Sequence, residues 1–208
     1  MPSLVKICGV STMATLDAAI AGGSSHVGLN FVAASPRYVT AEQAAALVAR
    51  AGGRVKIVGL FVDAEPGFMD AVRRDARLDV VQLHGSETPT DAAAIGGEVW
   101  KAISVRTAAD LASAPRYRGA VSRILYDAKP PEGAPLTGGT GLRFDWALLD
   151  GFAHPIPWGL AGGLDAGNVA DAIRRTRAPL VDVSSGVESA PGVKDVDKIA
   201  AFLQAARS

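Results

Sequence analysis

Two residues of this 208-residue chain stand where a proton can be moved, Cys8 and Asp127. A thiolate can take a proton, and a partly buried carboxyl can keep one to give away. Cys8 ends the apolar run Leu4–Cys8, two residues after Lys6. Side chains alternate along a strand, so Lys6 and Cys8 share a face. If that face is covered, Lys6 must be paired, and positive charge beside Cys8 favours its thiolate. Position alone says less, because most free cysteines are small buried hydrophobes. Asp127 ends the run Arg123–Asp127, just before a stretch rich in Gly and Pro. A turn cap is its ordinary alternative.

Further candidates can bind rather than react. Arg37 lies in Ser35-Pro36-Arg37-Tyr38. Most loop arginines are solvated, but a guanidinium at a pocket mouth suits a carboxylate or phosphate. Gln82 and His84 share one strand face and are expected to line a substrate rather than react with it. Gly162-Gly163 and Ser184-Ser185-Gly186 are short Gly-rich segments whose backbone N–H groups can cradle a phosphate.

These residues need elements to position them. Eight short apolar runs alternate with Ala-rich stretches of helical character: Leu4–Cys8, His26–Phe31, Val55–Val62, Asp79–His84, Val99–Ser104, Arg123–Asp127, Ile156–Ala161 and Leu180–Ser184. Near-continuous apolar runs suit parallel strands covered on both faces. Eight βα units in one short chain predict a single-domain (β/α)₈ TIM barrel over residues 1–208. In that fold the site lies at the C-terminal strand ends, where Cys8 and Asp127 fall. Loops after strands seven and eight commonly bind phosphate, and those are the two Gly-rich segments. Strand eight closes against strand one, which makes Asp182 the candidate partner of Lys6.

Helices are expected to begin at Thr40 and Asp165 as caps, and a final amphipathic helix to run from Lys194 to Ala206. Gly52-Gly53 and Gly96-Gly97 read as helix stops. Lys129 to Gly141 holds three prolines and four glycines and is expected to form a mobile lid.

Lys+Arg and Asp+Glu both number 21, so there is no basic surplus for nucleic acid. No apolar run approaches the roughly 20 residues that span a bilayer, and no leader is apparent at the N-terminus, so a cytoplasmic enzyme is expected. The single cysteine excludes an intramolecular disulfide. No Cys/His cluster has metal-ligand spacing, so neither metal nor other cofactor is expected. Without an obvious exposed apolar stripe, the chain is expected to be a monomer acting on a small phosphorylated substrate.

The ordered motifs resemble the phosphoribosylanthranilate isomerase family along nearly the whole chain. The resemblance rests on Val5-Lys6-Ile7-Cys8-Gly9, Ser35-Pro36-Arg37, Gly59-Leu60-Phe61-Val62, Val81-Gln82-Leu83-His84-Gly85 and Asp127-Ala128-Lys129-Pro130-Pro131. It continues through Gly138-Gly139-Thr140-Gly141, Phe144-Asp145-Trp146, Gly162-Gly163-Leu164 and Asp182-Val183-Ser184-Ser185-Gly186-Val187-Glu188, ending with Pro191-Gly192. It implies a step of tryptophan biosynthesis, the cofactor-free Amadori rearrangement of N-(5′-phosphoribosyl)anthranilate. It makes Cys8 the general base, Asp127 the general acid and Arg37 the partner of the anthranilate carboxylate. Gly141 joins Gly162, Gly163, Ser184, Ser185 and Gly186 as phosphate-binding, and Asp182 joins Gln82 and His84 at the substrate.

The chain departs from the family at two places. Asn30 stands in Gly28-Leu29-Asn30-Phe31, where an aromatic-rich pattern is expected, and Ala161 precedes the second Gly pair, where serine is expected. Two alternatives remain: the histidine-pathway isomerase, which uses an aspartate where this chain has Cys8, and an idle sugar-phosphate-binding barrel.

Overall fold

The computed structural model describes residues 3–129 and 141–207. Eight parallel strands close into a barrel in sequence order. They are β1 Leu4–Cys8, β2 His26–Asn30, β3 Lys56–Phe61 and β4 Val80–Leu83, followed by β5 Glu98–Val105, β6 Arg123–Ala128, β7 Trp158–Leu160 and β8 Leu180–Val183. A two-stranded antiparallel hairpin follows, β9 Glu188–Ala190 with β10 Val193–Lys194. The helices are α1 Met13–Ala21, α2 Ala41–Ala51, α3 Pro66–Ala76, α4 Pro89–Ile95, α5 Ala108–Leu111, α6 Val169–Thr176 and α7 Val196–Ala205. The expected single-domain (β/α)₈ architecture is therefore present. After β6, however, the described residues form only a one-turn 3₁₀ helix, Trp146–Leu149. Residues 130–140 of the anticipated lid lie outside the described residues.

Alternation along each strand decides what faces the barrel axis. On β1, Val5 and Ile7 join the outer core beneath the helices, while Lys6 and Cys8 are on the other face. On β4, β6 and β8 the outward members are Val81 and Leu83, Ile124 and Tyr126, and Val181 and Val183. Their inward neighbours form a separate apolar cluster of Val58, Val80, Trp100, Ala102, Leu125 and Leu180. The barrel interior is thus a filled core, as this fold requires. Its cost to the sequence is visible at Gly159, where a Cβ would come within 2.7 Å of both Leu125 and Leu180. Two helix predictions hold in detail. Thr40 caps α2 by accepting from Gln43 N at 3.2 Å while Gln43 Oε1 accepts from Thr40 N at 2.9 Å, and Gly52 ends it in the left-handed region.

Two others need correction. Helix α6 begins at Val169, with Asn168 rather than Asp165 at the cap. Asp165 instead accepts from Gly167 N at 2.8 Å and closes the turn ahead of the helix. Lys194 does not open the final helix but sits in β10; Asp195 caps α7 through Asp197 N and Lys198 N. In each case a polar side chain bonded locally to the backbone outcompetes one more helical turn.

The expected pair at the closing seam is formed. Lys6 and Asp182 are register partners on β1 and β8, and Lys6 Nζ donates to Asp182 Oδ2 at 2.8 Å. The lysine side chain is wholly buried and that of Asp182 nearly so. Burial works against the Lys6 charge, but the carboxylate beside it wins and raises the ammonium pKa above its ordinary value. Among the described residues no helix is long and apolar enough to cross a membrane.

Asp182→Ala should lower the unfolding free energy by roughly 3–5 kcal/mol, because it strands a buried ammonium. Urea unfolding followed by circular dichroism checks this; a loss below about 1 kcal/mol would mean that the pair contributes little to closure.

Candidate active site

The inward side chains nearest the C-terminal strand ends open into a cavity. Cys8 from β1 and Asp127 from β6 both line it. Gln82, His84 and Asp182 complete the polar floor, and Leu60 and Val62 supply an apolar wall. Arg37 borders it from the loop after β2. Gly141, Gly162, Gly163, Ser184 and Ser185 border it from the loops after β6, β7 and β8. Sequence reasoning therefore brought together eleven residues that share one cavity. Gly186 is not among its lining residues. It packs against the loop after β7, for a Cβ there would fall 1.9 Å from the Leu164 carbonyl oxygen.

Cys8 sits in a charged setting. A Cβ built on Gly28, its register partner on β2, would meet Cys8 Sγ at 2.8 Å and Lys6 Nζ at 3.1 Å. Glycine there is what allows sulfur and ammonium to approach. Two opposing influences act on the thiol. Burial pushes the Cys8 thiol up, and the opposing pulls of Lys6 and Lys194 do not overcome it. The thiol of the unliganded protein is therefore harder to ionise than an ordinary cysteine, while Lys6 works in favour of the thiolate.

Asp127 is held from two sides. Its Oδ1 accepts from Ala128 N at 2.8 Å, and its Oδ2 lies 3.2 Å from His84 Nε2. The second contact lacks hydrogen-bond geometry, for His84 Nε2 has no such partner in the protein. Gln82 Oε1 and Asp182 Oδ1 are also buried without partners. Three unpartnered polar atoms around one cavity are costly in isolation and suit a polyhydroxylated ligand. Gly162, with φ +85°, lets the loop after β7 close on Asp127: a Cβ would come within 2.5 Å of Ala128 N and 2.8 Å of Asp127 Oδ1.

Arg37 is also engaged within the protein. Its Nε and Nη2 donate to Glu188 Oε1 and Oε2 at 2.7 and 2.8 Å, so that edge of the fork is committed to a protein carboxylate. Glu188 also accepts from Lys194 Nζ at 2.7 Å. Burial alone would raise Glu188, but its hydrogen bonds from Arg37 and Lys194 prevail and hold the carboxyl at about 2. Neither Glu188 nor Lys194 stood out in sequence. The one available signal was a charged pair flanking Pro191-Gly192, a hairpin turn directly after the phosphate-type loop.

The departure at Asn30 has a local purpose. Its Oδ1 accepts from Val32 N at 2.8 Å and its Nδ2 donates to Ser35 Oγ at 3.2 Å, which in turn accepts from Arg37 N at 3.2 Å. A polar side chain in the wall thus orders the loop that carries Arg37. Ala161, the other departure, lines the cavity without a polar contact to offer. Among the described residues no group of three or more His, Cys, Asp or Glu is arranged to hold a metal ion.

Residues 5–205 match the family described as N-(5'phosphoribosyl)anthranilate (PRA) isomerase. The chain belongs to that family. The N-(5'-phosphoribosyl)anthranilate isomerase of Paramagnetospirillum magneticum is 52% identical over 211 residues, spanning 100% of this chain and 98% of its own. That of Erythrobacter litoralis is 51% identical over 210 residues, spanning 99% of each. The solved phosphoribosyl anthranilate isomerase from Thermotoga maritima superimposes with a TM-score of 0.90 at 36% identity, over 98% of each chain. Another, solved in complex with reduced 1-(o-carboxyphenylamino)-1-deoxyribulose 5-phosphate, gives a TM-score of 0.87 at 34% identity, again over 98% of each chain. As a member of the phosphoribosylanthranilate isomerase family, this protein is an enzyme of the isomerase class.

Proposed function

We propose that the protein converts N-(5′-phosphoribosyl)anthranilate to 1-(2-carboxyphenylamino)-1-deoxyribulose 5-phosphate, a step of tryptophan biosynthesis, with Asp127 as general acid and Cys8 as general base. The observation that carries this reading is the meeting of a carboxyl and a thiol from β6 and β1 in one cavity, in a chain of this family. Asp127 protonates the ribose ring oxygen; the ring opens and the nitrogen lone pair forms an iminium. Cys8 then removes the proton from sugar C2, and the electrons of that C–H bond neutralise the iminium as an enolamine. Tautomerisation of the enol gives the ketone. Acid and base act on different atoms of one sugar, which requires two groups on separate walls.

The remaining residues divide along the ligand. Gly141, Gly162, Gly163, Ser184 and Ser185 are assigned to the phosphate, for their loops stand where this fold binds it. The partnerless oxygens of Gln82 and Asp182, and His84 Nε2, are assigned to the sugar hydroxyls. Arg37 is assigned to the anthranilate carboxylate, and Leu60 and Val62 to its ring. The raised thiol of Cys8 fits a base that ionises as the substrate is committed, with Lys6 stabilising the thiolate as it forms. The protein acts as a monomer in this reading. Its exposed large apolar side chains, such as Leu4, Met13, Phe68 and Val193, are spread over separate elements. One solved Thermotoga maritima relative is described as monomers of a dimeric phosphoribosylanthranilate isomerase.

Cys8→Ala and Asp127→Asn should each lower turnover by at least about 10³-fold while inorganic phosphate still binds, because binding rests on other loops. Steady-state assay with calorimetric phosphate titration checks both; near-full activity in either variant removes that residue from its role. The base form of Cys8 grows as pH rises, so kcat/KM should climb from about pH 6 toward pH 9 in proportion to thiolate, until the acid limb turns it over. Lys6 pulls the thiol pKa down, so folded Lys6→Met protein should show that climb displaced to higher pH; an unmoved profile would detach Lys6 from Cys8. Sedimentation equilibrium should return the 21.3 kDa chain mass, and twice that mass would contradict the monomer.

A further inference from the structure

A buried ion pair outside the cavity holds two of its walls. Lys101 shares the outer face of β5 with Val99 and Ile103, opposite Leu83 of β4. Its Nζ donates to Glu87 Oε2 at 3.0 Å and to the Gly85 carbonyl oxygen at 2.6 Å. Both side chains are more than nine-tenths buried, yet neither borders the cavity. Exchanging such a pair for apolar side chains of similar volume is often neutral or stabilising, so stability alone does not account for it.

The other contacts of Glu87 show what the pair holds. Its Oε1 accepts from Asp63 N at 2.8 Å, and its Oε2 accepts from Gly85 N at 2.9 Å. One carboxylate thus holds the peptide after Val62, just past β3, and the peptide after His84, just past β4. Val62 and His84 both line the cavity. Asp63 turns the first loop with φ +46°, and its Oδ1 accepts from Ser86 N and Oγ at 2.7 and 2.8 Å. A left-handed residue that is not glycine persists where its surroundings over-determine it, and these bonds do so. The two loops are in close contact: a Cβ on Gly85 would fall 2.6 Å from Asp63 Cγ and 2.8 Å from Asp63 N. Tyr117 Oη donates to the Glu87 carbonyl oxygen at 2.8 Å and anchors the clamp to the segment before β6.

We propose that Glu87, seated on Lys101, is the positioning residue for His84, fixing its imidazole between the substrate sugar and the Asp127 carboxyl. This rests on the assignment of His84 to the sugar and of Asp127 to the general acid. Glu87 itself does not touch the ligand. His84 Nε2 stands 3.2 Å from Asp127 Oδ2 without hydrogen-bond geometry, so the carboxyl does not hold the ring in place. The backbone does, because Gly85 is bonded at both its N–H and its carbonyl oxygen. The same carboxylate holds Val62, so the sugar wall and the aromatic-ring wall keep one spacing.

The test is a double-mutant cycle on the intact enzyme with Glu87→Gln and His84→Ala. KM and kcat are measured on N-(5′-phosphoribosyl)anthranilate, and Kd on inorganic phosphate. Glu87→Gln should lower kcat/KM about tenfold or more, since small misplacements remote from the chemistry are costly. It should leave phosphate affinity within about twofold, and change kcat/KM by less than about twofold in the His84→Ala background. Gly85→Ala crowds Asp63 without changing any charge, so it carries the test if loss of the ion pair prevents folding, and it should give the same His84-dependent loss. An equal loss with and without His84, or a parallel loss of phosphate affinity, overturns the positioning role. Full activity in Glu87→Gln or in His84→Ala alone overturns it as well. No turnover by the unaltered enzyme refutes the proposed reaction instead, and the inference falls with it.

Discussion

The buried pair between Lys6 and Asp182 governs the site more than any other contact. It spans the seam where β8 meets β1, so it belongs to the interaction that turns a sheet into a barrel. It also forces polar chemistry into an otherwise apolar interior. An ammonium with no solvent exposure is tolerable only with its counter-ion in place. Two positions up the same face stands Cys8, and across the seam Asp182 reaches the cavity floor. The charge that stabilises a thiolate is therefore fixed by the fold rather than by a mobile loop.

Around that fixed pair the loops do the rest, and small residues let them approach. Gly28 gives room for sulfur and ammonium side by side, and Gly162 lets a loop reach the Asp127 carboxyl. Gly186 admits the Leu164 carbonyl, seating the loop after β8 against the one after β7. Each would be crowded by a single methyl group. Proton-transfer residues on strands keep their geometry, while the loops supply recognition.

Much of this was legible in the sequence, because strand periodicity and barrel closure are rules of few parameters. Alternation put Lys6 beside Cys8, and closure put Asp182 beside Lys6. The Thr40 cap needed only neighbouring residues to read. What escaped were contacts between distant segments that no period encodes. Arg37 meets Glu188 across 151 residues of chain, so that pairing left no local mark. Lys194 matched the spacing of the helix that follows it, and its true place in β10 depends on pairing with β9. Asp165 lost its expected cap to a turn that Asn168 completes. Alternation revealed the neighbours of Cys8 but not the depth at which burial outweighs them.

The most direct measurement is a crystal structure of this enzyme with the reduced 1-(o-carboxyphenylamino)-1-deoxyribulose 5-phosphate bound. The account predicts Cys8 Sγ beside sugar C2, and the Asp127 carboxyl within hydrogen-bond reach of the oxygen that closed the ribose ring. The phosphate should lie on Gly162, Gly163, Ser184 and Ser185, with the aromatic carboxylate toward Arg37. A ligand that places the carboxylate on the glycine loops, or leaves Cys8 or Asp127 out of contact with the sugar, would contradict it.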